Sequence, residues 1–264
     1  MRPPVLLFDT HVHLDADCLR GNLDRETRRA LQSGVGNFLI PGVRREGWPL
    51  LFSAARDVPG ALVAPGLHPL AAAEWNEEAA AELTDLFSDS LTVAVGEIGL
   101  DAFIDSPGLE VQEAAFRAQL RLAVEAQLPV LIHCRRATGK LLNILREEKA
   151  GRIGGILHAF SGSIETAREA IRLGFVLGFG GPLTYPNARR IPEVLRQVPQ
   201  EAIVLETDAP DLPPHPRRGE PNSPANLPLI ARRVAEVRGW SEEETARITT
   251  ENAERVLKIN TVRR

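Results

Sequence analysis

The chain has 264 residues, 44% of them hydrophobic and 25% charged, with a net charge of −4 at pH 7. This is the composition of a water-soluble globular protein with length enough for one α/β barrel. The acidic balance excludes a broad basic field for nucleic acid, so an anionic substrate must be met by local cations such as Arg135-Arg136 or Arg217-Arg218.

The first predicted strand is the apolar run 5–8. It leads straight into "FDTHVHLD", residues 8–15. Side chains i and i+2 of a strand share a face, so His11 and His13 are expected to project together from its C-terminal end. Further strands are predicted at 37–40, 61–64, 92–95, 130–132, 153–157, 175–178 and 202–205. Between them lie helical patterns near 23–33, 46–57, 75–88, 109–126, 138–149, 163–173 and 188–198. Phe116, Leu120, Ala123 and Val124 form the apolar stripe of a helix with one buried face. After a proline-rich loop, 209–224, come helices near 225–238 and 242–258, the last opened by Ser241 and Glu244 in a capping-box spacing.

Eight strand–helix units, strands too apolar to have an exposed face, and no linker predict one domain over residues 1–264. The expected fold is a single (β/α)8 TIM barrel with an extra C-terminal helix, and an open doubly wound sheet is the alternative. Cys18 and Cys134 are too few for a disulfide framework and neither has a CxxC neighbour. Met1-Arg2-Pro3-Pro4 lacks the apolar core of a signal peptide, and no run approaches the ~18 apolar residues of a membrane span. The expected location is the cytosol.

Polar residues gather after the strands. His11 and His13 follow strand one, and His68 follows strand three in "PGLHP". Glu97 and Asp101 follow strand four in "GEIGLD". His133 and Arg135 follow strand five, His158 strand six, and Glu206 and Asp208 strand eight. Five of the six histidines therefore lie on the side where a TIM barrel builds its active site. Each alone has a structural explanation, as a buried imidazole or a helix cap. Together, imidazoles and carboxylates suit two divalent ions bridged by a carboxylate, with open positions for water. The lack of cysteine ligands fits a catalytic site better than a closed structural zinc site.

The motifs "FDTHVHLD", "GLHP", "VGEIGLD", "LPVLIHCRRA", "HAFSGS" and "ETDAP" resemble, in order and spacing, the TatD-like metal-dependent hydrolases of the amidohydrolase superfamily. The resemblance runs from about residue 5 to 260. It implies a TIM barrel with two divalent ions (Zn, Mn, Mg or Ni) and deoxyribonuclease activity, including 3'-5' exonuclease action. It also implies DNA as substrate, with neither a membrane nor an obligate protein partner. By the same resemblance His11, His13, Glu97 and Asp208 bind one ion, and Glu97 with His133 and His158 binds the other. No lysine lies near Glu97, which separates the chain from relatives bridged by a carboxylated lysine. The chain departs from the common pattern at Ala102, where an aromatic usually follows "GLD", and at "GEPNSP" (219–224). Both departures bear on the substrate and leave the ligands intact.

Asp208 is expected to act as ligand and proton acceptor, with His68 and Arg135 as candidates for binding the scissile phosphate. Asp9 and Asp101 are read as carboxylates that orient imidazoles. Tyr185 is a candidate for stacking on a base, with turn packing equally expected. An amidohydrolase cleaving an amide or ester, such as a deacylase, is the alternative activity.

Overall fold

The computed structural model describes residues 6–259, so Val5 of the first predicted strand and the Met-Arg-Pro-Pro start lie outside the described residues. Eight strands follow in order: β1 (Leu7–Asp9), β2 (Val35–Pro41), β3 (Ala61–Ala64), β4 (Val95–Asp101), β5 (Val130–Arg135), β6 (Gly155–Leu157), β7 (Phe175–Phe179) and β8 (Ile203–Leu205). The helices are α1 (Asp17–Arg20), α2 (Leu23–Gln32), α3 (Trp48–Asp57), α4 (Glu77–Leu86), α5 (Leu109–Ala126), α6 (Thr138–Glu147), α7 (Ile164–Arg172), α8 (Arg190–Gln197), α9 (Leu227–Arg238) and α10 (Glu242–Leu257). Among the described residues no helix is long and apolar enough to cross a membrane.

All strand pairs are parallel, in a β1-β2-β3 run and a β4-β5-β6-β7-β8 run. Two seams join the runs into a (β/α)8 barrel. At one, Val63 N–H donates to Leu91 O, Val93 N–H to Val63 O, and Glu97 N–H to Gly42 O. At the other, Thr10 N–H donates to Leu205 O, Asp208 N–H to His11 O and His13 N–H to Ala209 O. The open doubly wound alternative is thereby excluded.

Alternation along the strands sorts the core into two layers. Phe8, Leu39, Leu62, Leu131, Ile156, Val176 and Val204 fill the barrel interior. Their outward neighbours, such as Ile40, Val63, Ile132, Leu177 and Leu205, lie under the helices. The extra C-terminal helix is α10, whose Ala253, Val256 and Leu257 join the interior layer. Thr250 Oγ1 donates to Leu6 O and Asn252 Nδ2 to Ile203 O, so α10 stops the N-terminal mouth of the barrel. The opposite mouth remains for the polar residues.

Only the third strand has the expected bounds; five others shift by one or two residues at one or both ends, and the remaining two run on far enough to change where the polar residues sit. The fourth was expected at 92–95 and runs Val95–Asp101; the fifth was expected at 130–132 and runs Val130–Arg135. Glu97, Asp101, His133 and Arg135 thus lie in strands and not after them. The reason is close packing of backbones. A Cβ on Gly99 would lie 2.0 Å from His133 O, and one on Gly96 2.6 Å from Leu131 O. Glycines that permit this approach read in sequence as a turn.

Candidate metal centre

Beyond β1 the chain bends and runs along the β8 seam, where Val12 bridges to Ala209. This brings His11 and His13 opposite Asp208. Their Nε2 atoms lie 3.3 Å apart, at 3.4 and 3.7 Å from Asp208 Oδ1. Glu97 projects between this group and a second one. Its Oε2 is 3.3 Å from His11 Nε2, whereas its Oε1 is 2.7 Å from His133 Nδ1 and 3.0 Å from His158 Nε2. One carboxylate therefore presents one oxygen to each group. His11 stacks on His158 with centroids 3.9 Å apart, which closes the cluster.

The electrostatics follow from this packing. Burial opposes ionisation of Glu97, but His158, His11, His68 and His133 outweigh it and hold the carboxyl well below its usual range. Burial drives His11 well below the usual imidazole range, helped by repulsion from His158. His158 moves the other way: burial opposes its charge, but Glu97 and Glu206 more than compensate. His133 is likewise raised against burial by Glu97 and Asp101. Burial pushes Asp208 up to about 6, with His158 and His13 limiting the rise. Asp208 also sits at φ +58°, a left-handed conformation uncommon outside glycine and associated with functional sites.

The residues fit divalent cations. The donors are imidazole nitrogens and carboxylate oxygens, a set suited to zinc-, manganese- and nickel-like ions. Two imidazole nitrogens 3.3 Å apart with an aspartate oxygen beside both turn three potential donor atoms toward one point, an arrangement that suits a cation. Ligand atoms of His11, His13 and Glu97, of His11, His158 and Asp208, and of His68, Glu97 and His133 each lie within 4.8 Å of one another.

His68 joins the last of these groups by distance but not by chemistry. Its Nδ1 accepts from Leu70 N–H (3.1 Å), capping the turn Pro69–Glu74, and burial pushes its pKa down to about 4 against the pull of Glu97. A neutral ring whose Nδ1 accepts carries its proton on Nε2, which lies 3.8 Å from Glu97 Oε1. His68 is thus a donor facing the cluster, and the capping and site roles coexist.

Of the two carboxylates read as imidazole partners, Asp101 is one: its Oδ2 lies 3.2 Å from His133 Nε2. Asp9 is not. It is fully buried, accepts from Thr207 N–H (2.8 Å) and Thr207 Oγ1 (2.5 Å), and burial pushes it up to about 8. It ties β1 to the end of β8, because its side chain points across the seam away from the rings. The carboxylate beside His158 is Glu206, with Oε1 3.5 Å from Nδ1 and accepting from Ala159 N–H (2.6 Å). Glu206 is fully buried in a niche left by two glycines: a Cβ on Gly178 would lie 2.2 Å from its Oε2, and one on Gly180 3.4 Å from its Cγ. Sequence reading located Glu206 without a role. The signal was the Gly178-x-Gly180 spacing across the end of β7, beside the end of β8.

A cavity of about 780 Å³ opens over the cluster, lined by His13, His68, Asp208 and, at its rim, Arg135. Arg135 is exposed and lies over the Phe103 ring, 3.9 Å from its centroid, and is in no salt bridge among the described residues. Tyr185 lines a separate cavity of about 360 Å³. Its hydroxyl donates to Pro213 O and Arg218 covers its ring, so turn packing describes it. Arg217 pairs with Glu220 at 3.5 Å.

Known proteins share this arrangement of chain. The family model described as TatD related DNase matches residues 8–258. The metal-dependent hydrolase YabD of Bacillus subtilis is 39% identical over 255 residues, covering 97% of this chain and 100% of that protein. The 3'-5' ssDNA/RNA exonuclease TatD of Cronobacter sakazakii is 35% identical over 262 residues, covering 96% and 98%. The crystal structure of the TatD homologue YjjV from Escherichia coli superposes with a TM-score of 0.91 at 33% identity, covering 96% and 98%. A phosphotriesterase homology protein from E. coli, at 16% identity and TM-score 0.69, shares the fold. The chain belongs to the TatD-related family of metal-dependent hydrolases.

Proposed function

We propose that the protein is a phosphodiesterase acting on nucleic acid, with DNA as substrate and attack from the 3' end. It works as one domain, residues 1–264, with two divalent ions. The observation that carries the reading is the divided carboxylate of Glu97, one oxygen toward His11 and the other toward His133 and His158. On this reading His11, His13, Glu97 and Asp208 hold one ion, and Glu97, His133 and His158 the other. The ions supply Lewis acidity toward the phosphoryl group and lower the pKa of water toward neutrality.

The protein's own groups do the rest. Asp208, raised to about 6 by burial, remains mostly ionised at neutral pH and accepts the proton of the attacking water on its carboxylate. His68 is neutral at that pH and offers Nε2–H to a phosphoryl oxygen. Arg135, at the rim, meets a non-bridging oxygen with its guanidinium edge. Asp101 and Glu206 hold the rings of His133 and His158 in orientation. The exonuclease name of the Cronobacter relative supports the substrate class.

The test is hydrolysis by metal-loaded protein of single- and double-stranded oligonucleotides beside a panel of esters and amides. Release of mononucleotides that stops with chelator supports the reading. Turnover of esters or amides alone would replace it with the deacylase.

A further inference from the structure

Phe103 is 53% exposed, one of four large hydrophobic side chains so exposed among the described residues. Its surroundings are not those of a stray surface ring. The Arg135 guanidinium carbon lies 3.9 Å from its centroid and that of Arg136 lies 5.0 Å away. Neither arginine is in a salt bridge among the described residues, although Arg135 lies near enough to Asp101 to help hold that carboxyl below its usual range, whereas Arg117 and Arg121 on α5 are locked by Glu147 and Glu148. Two cations free of salt bridges and sharing one ring, Arg135 lining the cavity over the cluster and Arg136 beside it in sequence, form an anion site in a chain of net charge −4. A guanidinium resting on a ring is oriented and keeps its N–H edge free.

The cluster is also tied to the metal centre. Phe103 N–H donates to Asp101 Oδ1 (2.8 Å), and the other oxygen of that carboxylate meets His133. Ala102 N–H donates to Arg135 O (2.8 Å), and Asp101 and Arg135 are partners in the β4–β5 register. The ring and both guanidiniums thus hang from the two strand ends that carry Asp101 and His133.

We propose that Phe103, Arg135 and Arg136 form a subsite for the nucleotide next to the scissile phosphodiester of a single strand; this rests on the nuclease reading above. The arginines take its phosphate, and the composite surface of ring and guanidinium takes its base. Bases stack on both aromatic rings and guanidinium planes, without hydrogen-bond readout of sequence. The subsite requires an unpaired base, and so favours single strands over duplex.

The experiment uses metal-loaded protein and a phosphorothioate single strand carrying 2-aminopurine at the penultimate 3' position, whose fluorescence falls when the base stacks. Wild type is expected to bind with quenching. Phe103→Ala and Phe103→Leu are expected to lose the quenching and to bind roughly five- to a hundredfold more weakly. Arg136→Gln is expected to weaken binding several-fold while the quenching at saturation persists. Unchanged metal content and Tm in each variant place the loss in binding. Wild-type quenching and Kd in Phe103→Ala would overturn the subsite and leave the nuclease reading standing. A wild-type protein that binds no oligonucleotide would overturn both.

Discussion

Replacing Gly178 by alanine perturbs the cluster without replacing any proposed ligand. The added Cβ would lie 2.2 Å from Glu206 Oε2 and 2.8 Å from its Cδ, with His158 Cα at 3.2 Å. Glu206 is fully buried, so its carboxylate has nowhere to retreat. Moving it breaks the hydrogen bond from Ala159 N–H and the contact with His158 Nδ1. Overpacking of this kind costs about 1–3 kcal/mol, and a hydrogen bond to a charged group about 1.5–3 kcal/mol. The sum, roughly 2.5–6 kcal/mol, lowers Tm by about 5–24 °C at roughly 2–4 °C per kcal/mol. If Glu206 orients His158, metal affinity should fall roughly 10- to 100-fold. Scanning calorimetry gives the first quantity and competition with a chromogenic chelator the second. Gly36→Ala is the control. Its Cβ would also be tight, 2.5 Å from Leu6 Cδ1, but that is the end of a flexible side chain. A Gly178→Ala protein with Tm within 2 °C of wild type and unaltered metal affinity would refute the reasoning.

Asp208→Asn should lower kcat by ~10²–10⁴-fold with little change in Tm, because the amide keeps the shape but cannot accept a proton; kcat near wild type would remove Asp208 from the chemistry. His68 titrates near 4 in the folded protein and about 6.5 when unfolded, so the unfolded state binds its proton first as pH falls. Stability of the metal-free protein should drop from pH 6.5 toward 4, more shallowly in His68→Gln, and parallel Tm–pH curves for the two would contradict the assignment. Asp9→Asn should be tolerated better than Asp9→Ala, which leaves Thr207 N–H buried and unpaired at about 1–3 kcal/mol, as urea midpoints would report. With few free arginines at the rim, log Kd for a single strand should rise with log salt by only about 0.7 per contact, for two or three contacts in all; a slope equal to eight contacts would contradict a local subsite.

Much of the architecture was legible because period-2 and period-3.6 patterns are local. The apolar strands and amphipathic helices could be read one at a time, and barrel topology then brings their C-terminal ends together. That is why His11, His13, Glu97, His133, His158 and Asp208 could be expected at one mouth before any contact was known. The ends of β4 and β5 were read too short because Gly96 and Gly99 serve contacts with another strand, which composition does not record. Asp9 was misread for a similar reason. Its position beside the histidines suggested an imidazole partner, but its acceptor atoms are claimed by Thr207, 198 residues away. Glu206 reaches His158 only through space opened by glycines at the end of a third element, β7. Side-chain partnerships across a seam depend on register and rotamer, and neither is encoded at the positions concerned.

The central claim is that Glu97 is shared between two cations, and anomalous diffraction at the absorption edge tests it most directly, on crystals of protein loaded with Zn²⁺ or Mn²⁺. The account predicts two peaks per chain. One should lie about 2.0–2.2 Å from His11 and His13 nitrogens and a Glu97 oxygen, and the other at that distance from the second Glu97 oxygen and nitrogens of His133 and His158. One fully occupied peak with metal in excess, or two peaks that do not both touch Glu97, would contradict it.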